Sequence, residues 1–287
     1  MRISHHPLYP KNTGIKAEFS HFSGIYETGQ WRKENRLSLE HIKINAFVSG
    51  EFTLLIGNRL FEPIWGDLCV LEPLEVHCGN IAKQNYLEYY QLDISPAAFD
   101  PLPEGARLTK RLLCSKRKAG SYLRPSKADA QAVLNGFQAI EEAIAACQPA
   151  LAYSRAAELV YLLGTVYQNR TEAVPVALSA TVAKAMRKIG SYRGGKLTVA
   201  ELAAECGVSE SYLSRMFRKE IGEPVCTCLT RQRLIASVPA LERGESISDI
   251  SYAYGFADSS HYISCFKKQF DCTPGAYRDK NRDKKSE

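Results

Sequence analysis

The feature that most constrains the fold of this chain is an internal repeat in its last third. Residues 197–222 read LTVAELAAECGVSESYLSRMFRKEIG, and residues 247–270 read ISDISYAYGFADSSHYISCFKKQF. Gly207 of the first copy aligns with Gly255 of the second, which carries one additional residue after its glycine, and each copy then has a phenylalanine followed by two basic residues. Because such a repeat marks a supersecondary unit that occurs twice, the two copies should share one local structure.

Each copy predicts two helices joined by a tight turn at the glycine. In the first copy Thr198 can cap the first helix, Gly207 can end it, and Ser209 can cap the second helix. In the second copy Gly255 ends the first helix and Asp258 can cap the one that follows. The side chains expected to face inward are Leu197, Val199, Leu202, Ala203, Tyr212, Leu213, Met216, Phe217, Ile247, Ile250, Phe256, Tyr262, Cys265 and Phe266. This helix-turn-helix pattern lays its second helix in the major groove of DNA, so the repeat predicts two DNA-reading units in tandem.

The charge of the chain is concentrated on the half that carries the repeat. The 287 residues include 37 Lys and Arg against 31 Asp and Glu, which gives a net charge of +6 with His neutral. Residues 180–287 hold 18 basic and 13 acidic side chains, whereas residues 1–179 hold 19 and 18. A basic region beside a nearly neutral one indicates a polyanionic partner for the basic one, which agrees with nucleic acid as the ligand of the repeat.

Residues 15–95 carry the pattern of short strands separated by turns. The stretch EFTLLIGNRLF predicts a hairpin whose turn is Gly57-Asn58. The stretches WGDLCVLEP and NYLEYYQLDIS are further strand candidates, because they are rich in aliphatic and aromatic residues. Several short strands at close spacing predict a small barrel or a sandwich.

Two amphipathic helices are expected after these strands. The first has apolar residues at alternating spacings of four and three, at Val133, Phe137, Ile140, Ile144 and Cys147. The second has one apolar side formed by Ala156, Leu159, Val160, Leu163 and Tyr167. Pro149 should end the first helix, whose apolar seam either packs within the chain or forms a dimer surface. Lower periodicity over 169–180 predicts the link between the two halves.

The segments LTVAELAAECGVSESYLSRMFRKEIG, RQRLIAS, ISDISYAYGFADSSHYISCFKKQF and TPGAYR together resemble the DNA-binding domain of the AraC/XylS family of bacterial transcription regulators. The resemblance covers about residues 190–278. The region GEFTLLIGNRLFEPIWGDLCVLEPLEVHCGN is similar to the cupin-like effector domain of the same family. The resemblance implies an α+β chain with an N-terminal cupin-like β-barrel and helical hairpin, followed by a C-terminal all-α domain with two helix-turn-helix units.

This resemblance also implies how the chain is divided. It places an effector-sensing domain at 1–120, a helical segment for dimerisation or packing at 121–170, a linker at 171–180 and the tandem helix-turn-helix domain at 181–280.

The resemblance assigns roles to side chains on the two reading helices. Those expected to meet base edges are Ser211, Ser214, Arg215, Ser259, Ser260 and His261, and those expected to hold phosphates are Arg218, Lys219, Lys267 and Lys268. Arg215 is the strongest candidate for base reading, because a guanidinium can bond the O6 and N7 of guanine together. The chain departs from the family pattern at Ser264, where an arginine is usual, and at Cys228, where a tyrosine is common. Pro239 interrupts the helix that joins the two units, where a proline costs about 3 kcal/mol.

The candidate effector-binding side chains in the N-terminal half are His41, His77 and Tyr89. No metal site is expected, because the chain lacks the His-x-His pair of metal cupins, and Cys226 and Cys228 have no second cysteine pair at zinc-finger spacing. The sequence contains no GxSxG, P-loop or Rossmann motif, so no catalytic residue and no cofactor are assigned.

The leading hypothesis is a sequence-specific, non-enzymatic transcription regulator whose barrel senses a small molecule, with a sugar or related metabolite as the default from the family. The expected partners are double-stranded DNA, the effector, RNA polymerase and a second copy of the chain, but no membrane; activation and repression both stay open. An enzyme is the alternative, either a metal-dependent cupin or a DNA-repair protein beside an AraC-like DNA-binding domain. A third hypothesis is a regulator whose barrel binds a protein partner. The N-terminus has no secretory pattern, so a cytoplasmic location is expected.

Overall fold

The computed structural model describes residues 2–8, 16–27, 38–168 and 174–284. Its strands are β1 Arg2–Pro7, β2 Ala17–Tyr26, β3 Ile42–Ser49, β4 Thr53–Ile56, β5 Arg59–Phe61, β6 Leu68–Leu71, β7 His77–Asn80, β8 Asn85–Ile94 and β9 Tyr122–Leu123. Its helices are α1 Gly105–Ala119, α2 Lys127–Ala145, α3 Pro149–Val166, α4 Ala180–Gly190, α5 Val199–Cys206, α6 Glu210–Ile221, α7 Val225–Glu242, α8 Ile247–Ala253, α9 Ser259–Phe270 and α10 Pro274–Lys284. The fold is therefore mixed, with a sheet-rich N-terminal region and a helical C-terminal one.

The strands form two antiparallel sheets. The larger has six strands in the order β1-β2-β8-β3-β6-β9, and the smaller has three in the order β5-β4-β7. Side chains from both sheets meet in one buried cluster that includes Phe22, Phe47, Leu54, Phe61, Tyr89 and Tyr122. The opposite face of the larger sheet is covered by α2 and α3, where Phe137 stacks on Tyr90 with ring centroids 5.4 Å apart.

The closed barrel expected from the sequence is not found among the described residues. The edge strands of the small sheet, β5 and β7, form no ladder with the larger sheet there, so two open sheets face each other instead. The strand-rich pattern was correctly placed, and the Gly57-Asn58 hairpin is confirmed, because β4 and β5 pair across it with Ile56 opposite Arg59. The prediction of a closed barrel was wrong, because a pattern of short strands is as typical of a sandwich as of a barrel.

The two helices expected after the strands are present, and the seam of the first is covered within the chain. Val133, Phe137 and Ile140 are fully buried in the cluster that α2 and α3 share with the larger sheet. Cys147 was wrongly included in the seam. The helix ends at Ala145, and Cys147 is exposed with a left-handed backbone (φ 56°). Pro149 starts α3, where a proline at the first helical position leaves no hydrogen bond unmade.

Helix α1 was not predicted from the sequence. Its buried positions include the polar residues Thr109, Ser115 and Lys116 beside Leu112. Lys116 reaches the carboxylates of Glu72 and Glu75 with N–O distances of 3.0 and 2.6 Å. Because the helix has only three leucines among its many basic residues, it lacks the long apolar stripe that identifies α2 and α3 in the sequence.

The C-terminal half contains two apolar clusters joined by α7. The first cluster includes Val182, Leu202, Leu213, Phe217 and Leu229, and the second includes Leu234, Val238, Ile250, Tyr262, Phe266 and Tyr277. Helix α7 supplies both and continues past Pro239 to Glu242, so the interruption expected at that proline does not end the helix. No helix in the described part of the chain has the length and apolar character needed to cross a bilayer.

The expected linker at 171–180 is only partly visible, because residues 171–173 lie outside the described residues. Residues 174–179 contain neither a helix nor a strand, but the amide of Val176 bonds the carbonyl of Leu60 at 2.7 Å in an isolated β-bridge. The segment that enters the C-terminal half is thus held to the small sheet.

Candidate nucleic-acid interface

The first helix-turn-helix unit is built as its local sequence predicts. Thr198 and Glu201 form a reciprocal capping box at the start of α5, with the Glu201 amide 3.1 Å from the Thr198 hydroxyl and the Thr198 amide 2.7 Å from the Glu201 carboxylate. The hydrogen bonds from Thr198 hold the pKa of Glu201 below its ordinary value. Gly207 then takes the left-handed conformation (φ 72°) that ends α5, and Ser209 accepts the Tyr212 amide at the start of α6.

Helix α6 divides cleanly into a buried and an exposed side. Leu213, Phe217 and Ile221 are buried in the first apolar cluster. The α6 side chains expected to contact DNA are all exposed to solvent: Ser211, Ser214, Arg215, Arg218 and Lys219.

Tyr212 was wrongly assigned to the core. Its side chain is 39% exposed and lies beside Arg215, whose guanidinium carbon is 5.7 Å from the centre of the tyrosine ring. Tyr212 and Arg215 are three residues apart and so share one face of the helix. The spacing of Leu213, Phe217 and Ile221 could have revealed this, because Tyr212 falls outside their stripe.

The second unit repeats the plan with different side chains. Ser246 caps α8, Gly255 is left-handed (φ 71°), and the Asp258 carboxylate accepts the His261 amide at 2.8 Å to cap α9. Tyr262 and Phe266 are fully buried, and Phe256 is also buried. The exposed residues of α9 are Ser260, His261, Ile263, Ser264, Lys267 and Lys268.

Ser259 is placed differently from its expected outward orientation. It is half-buried, and its hydroxyl lies 3.3 Å from that of the buried Ser251 on α8. The early positions of α9 therefore present Ser260 and His261 to solvent, while Ser259 faces the neighbouring helix. Tyr252, which the sequence analysis did not single out, is 88% exposed at the end of α8.

The basic side chains expected to contact DNA on the two reading helices form no ion pairs with carboxylates in the described residues. These side chains are Arg215, Arg218, Lys219, Lys267 and Lys268. Arg218 and Lys219 lie in the last turn of α6, and Lys267 and Lys268 occupy the last turn of α9. The two helices thus carry equivalent pairs of unneutralised cations.

The three candidate effector-binding residues lie in three different surroundings. Tyr89 is buried between the sheets and stacks on Phe22 with ring centroids 4.4 Å apart. His77 is buried in β7, and its Nδ1–H donates to the carbonyl of Glu75 at 2.9 Å. Burial, followed by the charge of Lys43, lowers the pKa of His77 to about 3, so the ring is neutral at pH 7.

His41 lies in a cleft between the two halves of the chain. The cleft has a volume of about 460 Å³ and is lined from one side by Lys16, His41, Lys43 and Asp93, and from the other by Phe270, Asp271 and Tyr277. The described residues contain no group of three or more His, Cys, Asp or Glu side chains that could hold a metal ion.

A family model described as a helix-turn-helix domain matches residues 202–280. The Msm operon regulatory protein of Streptococcus mutans is 32% identical over 241 residues, which cover 82% of this chain and 83% of that protein. The regulatory protein PocR of Salmonella typhimurium is 28% identical over 111 residues, covering 38% of this chain and 37% of PocR. The xylose operon regulatory protein of Escherichia coli K12 is 31% identical over 101 residues, covering 35% of this chain and 26% of that protein.

Among solved structures, ToxT from Vibrio cholerae O395 is 15% identical and covers 91% of this chain and 96% of its own, with a TM-score of 0.35. The S. mutans regulator is the informative relative, because its similarity extends across both halves. The tandem capped helices, the matched helix-turn-helix model and this relative, which matches over 82% of the chain, lead to one conclusion: the chain belongs to the AraC/XylS family of transcription regulators.

Proposed function

We propose that this chain binds double-stranded operator DNA through α6 and α9 and changes its DNA affinity when a small molecule binds its N-terminal half. The observation that supports DNA binding most directly is the equivalent placement of exposed cations on two capped helices. Each helix buries one apolar stripe and leaves two adjacent basic residues in its last turn without an acidic partner in the described residues. A polyanion with a regular repeat is the natural ligand of such a pair.

The two reading helices would contact adjacent major grooves on one face of the duplex, about 34 Å apart. On α6, Arg215 would read guanine through two hydrogen bonds, with Ser211 and Ser214 beside it. On α9, His261, Ser260 and, more weakly, the half-buried Ser259 would face base edges. The cations expected to hold phosphates are Arg218, Lys219, Lys267 and Lys268.

The N-terminal half is, in this proposal, a cupin-like sensing domain over 1–120, followed by a helical segment at 121–170, a linker at 171–180 and the DNA-binding domain at 181–280. We propose a sugar or related metabolite as the effector, since one relative is named as the xylose operon regulatory protein. His41 is the best placed of the three candidate residues, because it lines an open cleft. An effector would reach His77 or Tyr89 only by opening the interior. RNA polymerase and a second copy of the chain are the proposed protein partners, and the cytoplasm is the proposed location.

The test of DNA binding is a salt series with the full chain. A duplex is first selected from a randomised library, and its affinity is then measured by fluorescence anisotropy between 50 and 200 mM salt. The four proposed phosphate contacts predict a log–log slope of about −3.6, which is roughly a 150-fold loss of affinity across that range. No selected sequence, or a slope near zero, would contradict the proposal. A panel of sugars and sugar phosphates, added in melting experiments, tests the effector class separately.

A further inference from the structure

The first reading helix ends against the N-terminal half of the chain. Helix α6 is followed by Gly222, which is left-handed (φ 84°) and whose amide bonds the carbonyl of Arg218 at 3.0 Å. Asn80, the last residue of β7, lies directly against this cap: a Cβ atom placed on Gly222 would overlap the Cγ, Nδ2 and Oδ1 atoms of the Asn80 side chain. A methyl group on residue 222 would therefore displace the Asn80 side chain from this position.

The overlap at Gly222 differs from those at two other glycines with positive φ, because a Cβ atom on Gly50 or Gly66 would meet atoms of its own half of the chain. A Cβ atom on Gly207 or Gly244 would meet nothing within 4 Å, although Gly244 has the same φ of 84°. A Cβ atom on Gly255 would approach only its own half, at the carbonyl of Gly195 and the side chain of Arg233. The contact at Gly222 is therefore a feature of this place in the fold and does not follow from left-handed helix caps in general.

The residue after Gly222 belongs to a buried ion pair that lies beside the same strand. Glu223 accepts two hydrogen bonds of 2.8 Å from Arg231, and both side chains are 5% exposed. The thiol of Cys228 donates to Glu223 at 2.7 Å. Cys78 of β7, two residues before Asn80, is buried beside this pair, and burial followed by the charge of Glu223 raises the pKa of its thiol to about 12.

Apolar packing joins the small sheet to the first unit as well. Leu55 of β4, Leu60 of β5 and Cys78 of β7 belong to the same buried cluster as Phe217 and Ile221 of α6. Since packed cores deform little, a movement of β7 is transmitted to the end of α6.

The second reading helix meets the N-terminal half more loosely. Its apolar cluster is reached from that half by Leu39 and Leu74, which are only partly buried. The residue that ends α9, Asp271, faces the cleft of about 460 Å³ that also contains His41 and Lys43. The end of α6 is thus packed against the small sheet through fully buried residues, whereas the second cluster contacts the N-terminal half through the partly buried Leu39 and Leu74.

We infer that Asn80 is a positioning residue for DNA binding: it sets the C-terminal end of α6 against the small sheet, so that the N-terminal half controls the first reading helix more strongly than the second. This inference rests on the proposed function, because it requires α6 to read DNA. It assigns to β7 the contact through which a change in the sheet reaches the operator.

The test is a double-mutant cycle in the full chain. Gly222→Ala adds a methyl group that collides with Asn80 and also strains the left-handed backbone. Gly244→Ala imposes the same backbone strain with open space around the methyl group and is the matched control. Asn80→Ala, combined with each, removes the atoms of the collision. Affinity is measured for the selected duplex and for two duplexes in which the box under α6 or the box under α9 is scrambled.

Gly222→Ala is expected to lower affinity for the intact duplex at least 10-fold more than Gly244→Ala does. Adding Asn80→Ala should bring the affinity back to within threefold of the matched Gly244→Ala, Asn80→Ala variant. Scrambling the α6 box should lower the DNA affinity of Gly222→Ala less than threefold but that of the wild type more than 10-fold. Scrambling the α9 box should lower the affinity of both proteins by the same factor.

Equal losses for Gly222→Ala and Gly244→Ala, or a loss that Asn80→Ala does not restore, would overturn the inference. If Gly222→Ala does not fold, Asn80→Gln adds bulk at the same contact without changing α6, and it should give the same loss confined to the α6 box; no such loss overturns the inference. Failure of the wild-type chain to select any duplex is the separate outcome that defeats the proposed function.

Discussion

Removing the carboxylate of Glu223 should destabilise the chain severely. The side chain is 5% exposed, and its carboxylate accepts two hydrogen bonds from Arg231 at 2.8 Å and another from the Cys228 thiol at 2.7 Å. Glu223→Ala leaves the guanidinium of Arg231 buried without its counter-charge. The Nε atom of Arg231 already lacks a hydrogen-bond partner in the described residues, so the loss of both Glu223 bonds adds to an existing deficit.

The magnitude follows from the burial of the pair. Breaking a buried ion pair by removing one partner costs about 3–5 kcal/mol, because the remaining charge is uncompensated. For a domain of 150–250 residues each kcal/mol lowers the melting temperature by about 2–4 °C, so the expected decrease is on the order of 6–20 °C. The melting temperature of the full chain is measured by circular dichroism, with urea unfolding as the second measurement.

Two controls separate the charge effect from a loss of packing. Replacing both partners, as Glu223→Leu with Arg231→Met, removes the charges together and should stay within about 1 kcal/mol of the wild type or exceed it. Glu158→Ala breaks a surface ion pair in which the Arg155 side chain is 44% exposed and the Glu158 side chain is 62% exposed. This variant should lose less than about 1 kcal/mol of unfolding free energy. If Glu223→Ala costs no more than Glu158→Ala, the assignment of Glu223–Arg231 as a buried, coupled pair is wrong.

Three further expectations concern the same structure. Burial alone would raise the pKa of Glu223, but the charge and hydrogen bonds of Arg231 lower it. Its contribution to stability should therefore be complete above the unfolded-state pKa of about 4.3 and be lost as pH falls through the folded-state pKa. Urea titrations between pH 7 and 3 should find this loss in the wild type and not in the Glu223→Leu, Arg231→Met variant. Arg215→Ala should reduce discrimination at one base pair by about 1–3 kcal/mol, whereas Lys267→Ala should weaken matched and mismatched duplexes alike; equal effects on both duplexes from both variants would refute the base-reading role. Thr198→Ala should cost about 1 kcal/mol of stability in urea unfolding, because it removes the cap of α5, and an unchanged midpoint would show that the cap contributes nothing.

The local structure of the reading units could be predicted because the interactions that form it are local. The caps at Thr198, Ser209 and Asp258 each join a side chain to an amide three residues later. Gly207 and Gly255 end their helices by backbone conformation alone. Signals of this kind need no knowledge of the rest of the chain.

The predictions that were wrong concern features that depend on packing between different elements of the fold. Tyr212 was assigned to the core by residue type, although its helical position is on the face of Arg215. Ser259 faces inward because Ser251 of the preceding helix offers its hydroxyl a neighbour. Whether strands close into a barrel depends on hydrogen bonds between edge strands that a sequence pattern does not specify. The contact between Asn80 and Gly222 joins positions far apart in the chain, and neither residue carries a sequence signal for it.

The measurement that tests the central claim most directly is the base preference of the full chain along its binding site. Every position of the selected duplex is substituted in turn, and the affinity of each variant is measured. Two reading helices of unequal chemistry predict two boxes centred about 10 base pairs apart. The box under α6, which presents Arg215, should tolerate few substitutions, and the box under α9, which presents Ser260, His261 and Ser264, should tolerate many. A single box, or two boxes of equal stringency, would contradict the account of how this chain reads DNA.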